Sequence, residues 1–187
     1  MIDLLEETDV TYYGGKQLAE SFRTVRKNTL AIAEEIPEDK YGFRATPEVM
    51  SAGEMLAHVA VAPMWHIDVH NGKIDHLDFA FFNARMPKLQ AEQDALKTKS
   101  DIVRALKENG ERFAAFLEAL DEATLSSTVS FPPPVQPSSK TRFEMLLGVK
   151  EHEMHHRAQL MQMQRMIGQV PHLTRARQQM QAQAAAR

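Results

Sequence analysis

The sequence predicts an all-α fold, a four-helix bundle with long crossover connections. Three observations carry it: four segments of the 187-residue chain repeat apolar residues at helical spacing, almost nothing alternates with period two, and two links are too long for hairpins. The first helix is predicted from about Gly15 to Ile36, with Leu18, Phe22, Val25, Leu30 and Ile32 on its apolar face and Pro37 as its stop. The second opens at Ser51, which forms a capping box with Glu54. It continues through Met55, His58, Ala62, Trp65 and Val69 to Asn71-Gly72. Pro63 lies inside this pattern and predicts a kink one turn beyond His58. The third helix, capped by Ser100, is predicted from Asp101 to about Leu120, with Ile102, Val103, Leu106, Phe113, Phe116 and Leu117 buried. The fourth opens near Thr141 with a capping-box Glu144 and ends at Gly168, with Pro171 soon after.

About fifteen residues join the first two helices and about twenty join the last two. At roughly 3.3 Å per residue either link could return along a 30 Å helix and let consecutive helices lie parallel. Phe131-Pro132-Pro133-Pro134-Val135 predicts an extended strap in the later link. The link between helices two and three contains Phe79, Phe81 and Phe82 and a candidate short helix from Pro87 to Leu96. It is too long to be structureless, which suggests a lid or a dimer contact. One domain is expected over residues 1–175, followed by an Ala/Gln-rich tail at 176–187 that is either a frayed helix or disordered.

Apolar residues make up 43% of the chain and charged residues 25%, with a net charge of −3 and no sustained run of one sign. That pattern gives no electrostatic footprint for nucleic acid. No apolar run approaches the roughly 18 residues that a membrane crossing needs, and the acidic Met1-Ile2-Asp3-Leu4-Leu5-Glu6-Glu7 start lacks a basic leader, so a cytoplasmic protein is expected. There is no cysteine. Any metal must therefore be held by nitrogen and oxygen, and any reactive thiol must arrive with a substrate.

The densest chemistry is Lys150-Glu151-His152-Glu153-Met154-His155-His156-Arg157. On a helical wheel of about 100° per residue, His156 falls about 40° from His152, on the same stripe as Met145, Val149, Met163 and Ile167. His155 falls at the stripe's edge, while Glu153 and Arg157 point elsewhere. On the second helix, His58 shares the inward face with Met55, Ala62, Trp65 and Val69. One inward histidine is usually a core residue satisfied by a backbone carbonyl. Three from two helices suggest a shared cation, and neutral imidazoles suit zinc, nickel, copper or iron. Three protein ligands would leave an open position, the mark of a catalytic site.

Glu54 and Gln159 could orient a ligand or a bound water, although a plain helix cap is the simpler role for Glu54. His66, His70, His76 and His172 read as surface or loop residues. His152-Glu153-Met154-His155-His156 formally matches the zincin His-Glu-x-x-His pattern, but the bundle context and the upstream His58 rank a zinc protease low. Neither a phosphate loop nor a nucleophile elbow is present.

Leu56-Ala57-His58-Val59 together with His152-Glu153-Met154-His155-His156-Arg157-Ala158-Gln159-Leu160 resembles the DinB-like (DinB/YfiT) metalloenzyme family. Phe22-Arg23-Thr24-Val25-Arg26-Lys27-Asn28-Thr29 and Ile36-Pro37-Glu38-Asp39-Lys40-Tyr41 resemble it too, so the likeness covers roughly residues 10 to 170. The resemblance implies a four-helix bundle, often a homodimer, holding a divalent metal through His58, His152 and His156. It also implies similarity to S-transferases and isomerases that use low-molecular-weight thiols. Two departures bear on substrate choice: Ala158 stands where the motif commonly has glycine, and Pro63 adjoins the expected pocket. The expected function is a metal-dependent transferase activating a small thiol, or water, against an electrophile. The alternatives are a metal-dependent hydrolase and a non-catalytic, stress-related, metal-binding dimeric bundle.

Overall fold

Burial of four amphipathic faces against one another produces the bundle, seen here in a computed structural model that describes residues 13–186. The acidic start at residues 1–7, on which the expectation of no basic leader rests, lies outside the described residues. The elements in order are α1 (Gly15–Glu35), α2 (Ala52–Val61), α3 (Met64–Asn71), α4 (Phe79–Asp94), α5 (Lys99–Glu118), α6 (Glu122–Ser126), β1 (Thr128–Ser130), β2 (Ser139–Thr141), α7 (Arg142–Met166) and α8 (His172–Ala185). The predicted all-α class is what the chain adopts, and none of the described helices is long and apolar enough to cross a membrane.

The caps follow the sequence signals, with one shift. Ser51 Oγ accepts from Glu54 N while the Glu54 carboxylate accepts from Ser51 N, at 3.2 and 2.9 Å. Thr141 Oγ1 accepts from Glu144 N at the start of α7, and Gly168 at φ +81° follows its end, a conformation that glycine enters without strain. For α5 the cap is Thr98 rather than Ser100, because Thr98 completes a reciprocal box with Asp101.

Pro63 interrupts the second helix more fully than a kink. Ala62 and Pro63 keep helical dihedrals, but α2 ends at Val61 and α3 begins at Met64, since proline has no N–H to offer the carbonyl of Val59. That carbonyl is not orphaned, for it accepts from Arg26 Nη2 at 3.1 Å.

Two core clusters fix the direction of each helix. One joins the C-terminal part of α1 (Ile32, Ala33) and Ile36 just beyond it, the start of α2 (Met55, Leu56), the start of α5 (Ile102, Leu106) and the end of α7 (Leu160, Met163). The other joins the start of α1 (Leu18, Phe22) to α3 (Met64, Ile67), the end of α5 (Phe113, Leu117) and the start of α7 (Leu146, Val149). Thus α1 and α7 run one way, and α2–α3 and α5 run the other. Both α1 and α2 pack on α5 and α7, which places consecutive α1 and α2 across the bundle diagonal.

The two long links that looked able to return along the bundle therefore each cross one end of it. The parallel consecutive pair is α2–α3 with α5, and α4 makes the return. Helix α4 is longer than the segment expected from Pro87: Asp78 caps it at Phe81, and Pro87 lies in its interior rather than at its start. The proline strap is the turn of a short antiparallel ribbon, β1 against β2, whose first strand carries Val129 into a third small core with Val69, Leu77 and Met145. The Ala/Gln-rich tail forms the later turns of α8. Its first turns hold α1, with His172 Nε2 donating to Asn28 Oδ1 and Arg175 paired with Glu35.

Candidate metal centre

His58 stands in the last turn of α2, and His152 and His156 stand one turn apart near the middle of α7. The α2 cap and the apolar stripe of α7 turn all three rings toward one point. His152 Nε2 lies 3.1 Å from His58 Nε2 and 3.1 Å from His156 Nε2, and the candidate ligand atoms of the three residues all fall within 4.8 Å of one another. His156 is buried, and the other two are half-buried.

The far sides of two rings are held. His156 Nδ1–H donates to Gln159 Oε1 at 2.8 Å, and His58 Nδ1–H donates to Gln93 Oε1 at 3.3 Å. An amide oxygen only accepts, so each ring carries its proton on Nδ1 and turns a bare Nε2 lone pair inward. His152 has one Nε2 between two such lone pairs and can donate to only one of them. At least one lone-pair contact at 3.1 Å is left, and a cation relieves it. Nitrogens about 2.0–2.1 Å from a tetrahedral ion lie about 3.3–3.4 Å apart, close to the spacing here. The donor set thus fits a divalent transition metal.

Burial, with help from the neighbouring rings, pushes the His152 imidazole down to about 4, and burial likewise lowers His156. Both stay neutral at physiological pH, which is the form that ligates.

A pocket of about 510 Å³ opens beside His58 and His152. Its lining includes Trp65, Met86, Leu89 and Phe131, with Val135 and Pro137 contributed by the turn of the ribbon. A concave apolar chamber against a polar cluster is the usual form of a small-molecule site.

Of the other residues singled out in the sequence, Glu54 is occupied as a cap and by Arg44, away from the triad. Gln159 does orient a ring. His155 is exposed, its ring 5.1 Å from that of His156. His66 and His70 are not surface residues. His66 lines the pocket, and His70 is buried, where its Nδ1 accepts from Arg142 Nη1 at 3.0 Å.

Glu153 does not point away from the protein. It is 2% exposed, and its carboxylate accepts from Arg26 Nε and Nη2 at 2.9 and 2.8 Å. Arg26 also donates to the carbonyls of Leu106 and Val59, so that one guanidinium ties α1 to α2, α5 and α7 directly behind the triad. With its oxygens engaged there, Glu153 is unsuited to the general-base role of a zincin glutamate. Arg26 had a readable signal: a charge about 40° from Phe22, on the apolar stripe of α1. Gln93 had none, because nothing in the sequence places α4 against His58.

Comparison with known proteins follows the same lines. A family model described as the DinB superfamily matches residues 21–160. No curated protein matches the chain by sequence. Among solved structures, a DinB-like protein of Bacillus subtilis, YjoA, superposes with a TM-score of 0.63 at 24% identity, the match covering 82% of this chain and 94% of that one. At that identity the likeness speaks for the fold.

Proposed function

We infer that this chain, which belongs to the DinB superfamily, holds a divalent transition metal between His58, His152 and His156 and acts as a metal-dependent transferase. One observation carries the reading: three inward Nε2 atoms, two with their tautomer fixed from behind, meet at the wall of an apolar pocket. A divalent ion bound there would supply Lewis acidity, lowering the pKa of a thiol or water so that it can attack an electrophile. The donor set suits zinc, nickel or iron.

The protein's own groups do the rest. Gln93 and Gln159 hold two rings in the ligating tautomer, and Trp65, Met86, Leu89 and Phe131 exclude water from the electrophile's chamber. No cysteine competes as nucleophile, which favours a low-molecular-weight thiol as cosubstrate. The pocket favours catalysis over a purely structural site, because a closed site needs no apolar chamber at its wall. The family resemblance further suggests a cytoplasmic homodimer, which sedimentation of the purified protein tests.

Metal analysis of metal-replete protein is the deciding experiment. The wild type should carry about one ion per chain, while His58→Ala, His152→Ala and His156→Ala should each lose it. A metal-free wild type, or variants that keep the ion, would sink the reading. Assay of the loaded wild type against a panel of small thiols and electrophiles then separates transferase from hydrolase.

A further inference from the structure

The pocket beside the triad contains a half-buried imidazole that metal binding leaves unused. His66, on α3, lines it together with His58 and His152. Its ring lies against Trp65, with centroids 3.8 Å apart and planes inclined by 36°, and near His70, 5.9 Å away and 18° from parallel. These contacts set the ring's orientation. Of its two nitrogens only Nδ1 is sealed from solvent, and it has no hydrogen-bond partner among the described residues.

A neutral imidazole has one N–H to place. An orphaned buried N–H is rarer in proteins than an orphaned acceptor, so the proton belongs on Nε2, the nitrogen that remains accessible. The rest of the chamber is chiefly apolar, and its one charged pair, Lys140 with Glu144, has its charges matched at 3.7 Å. Gln136, the other neutral polar side chain of the lining, is exposed on the turn of the ribbon, so His66 is the half-buried neutral donor in an aromatic and thioether-lined space next to the candidate metal ligands.

We propose that His66 is a substrate-binding residue that donates from Nε2 to an acceptor oxygen, of carbonyl type, on an apolar aromatic electrophile held against Trp65, Met86, Leu89 and Phe131. This names the substrate class of the site proposed above and rests on that reading for the reaction, though not for the binding. The selectivity follows from desolvation. An acceptor-bearing ligand satisfies the donor it covers, whereas an isosteric ligand without the oxygen leaves that donor buried and unpaired.

The test uses the full-length, metal-replete protein and two fluorinated probes of the same outline, para-fluoroacetophenone and para-fluoro-α-methylstyrene, titrated by fluorine NMR. They differ in a carbonyl oxygen against a methylene. Wild type should bind the ketone about five- to tenfold more tightly than the alkene. In His66→Phe the ratio should fall to about one while alkene affinity is kept, and His66→Gln, which retains an N–H donor, should restore part of the preference. A wild-type ratio near one, a ratio unchanged in His66→Phe, or failure of both probes to bind wild type overturns the proposal. Metal content measured on the same samples keeps the two readings apart. Loss of the ratio at full metal occupancy supports the role of His66, and a preserved ratio in a protein that takes up no metal overturns only the metal reading.

Discussion

His152 and Glu153 are neighbours on α7, yet they enter two polar clusters that end in opposite ways. Behind the triad, Glu153 and Arg26 satisfy each other, and Arg26 spends its remaining donors on the carbonyls of Val59 and Leu106. In front, three imidazoles bring lone pairs together without enough protons to pair them. The buried ion pair is closed and has no capacity for a ligand. The triad is open, and only something that arrives can complete it. Structure and chemistry are divided at one peptide bond, because successive helical residues point about 100° apart.

Breaking the closed cluster should produce the largest effect. Arg26→Met strands the Glu153 carboxylate in the core and should lower stability by about 3–5 kcal/mol in chemical denaturation, while adding Glu153→Leu should recover much of it. A single-variant loss below about 1 kcal/mol would mean that the pair is not closed as described.

His70 sits between the extremes. Its Nδ1 accepts from Arg142, but its Nε2 is buried without a partner among the described residues. Burial first, and then the Arg142 charge, push the ring down to about 4, below the ordinary imidazole value near 6.5. The unfolded chain therefore takes up this proton before the folded one does. The stabilisation is fully present above about pH 6.5 and is lost as pH falls toward 4. By pH 5.5 wild type should have lost about 1–2 kcal/mol more than His70→Gln, a variant that still offers Arg142 an acceptor. Parallel stability curves for the two proteins would contradict the assignment.

The smallest change is expected where the cluster is open. In chelated, metal-free protein, His152→Ala removes the ring that crowds the other two, so stability should move by less than about 1 kcal/mol in either direction. A loss as large as that of Arg26→Met would erase the distinction between the clusters.

Much of the bundle is legible in local pattern. Capping boxes and stop signals locate α1, the α2–α3 pair and α7 to within a few residues, because these devices act over one turn and need no distant partner. The same holds for the histidines: helical phase alone separates His152 and His156 from His155. Misreadings cluster where local signals are double-valued. Pro87 reads as a helix start but stands inside α4, and Thr98 outcompetes Ser100 as a cap through Asp101. His66 lies about 80° from His58 on the wheel, outside a stripe drawn for burial, yet a pocket is lined by the edge of such a stripe.

By itself, then, the sequence determined the helical class, the positions of most helix ends and the inward pairing of two histidines, since all three follow from interactions within one or two turns. Tertiary structure alone decided that α2–α3 and α5 run parallel, with α4 as the return. It also decided that Gln93 holds His58, that Arg26 meets Glu153 across 127 positions, and that His66 faces a chamber rather than solvent. Each of these joins residues far apart in the chain, and helical periodicity records which way a side chain points but not what will stand opposite it.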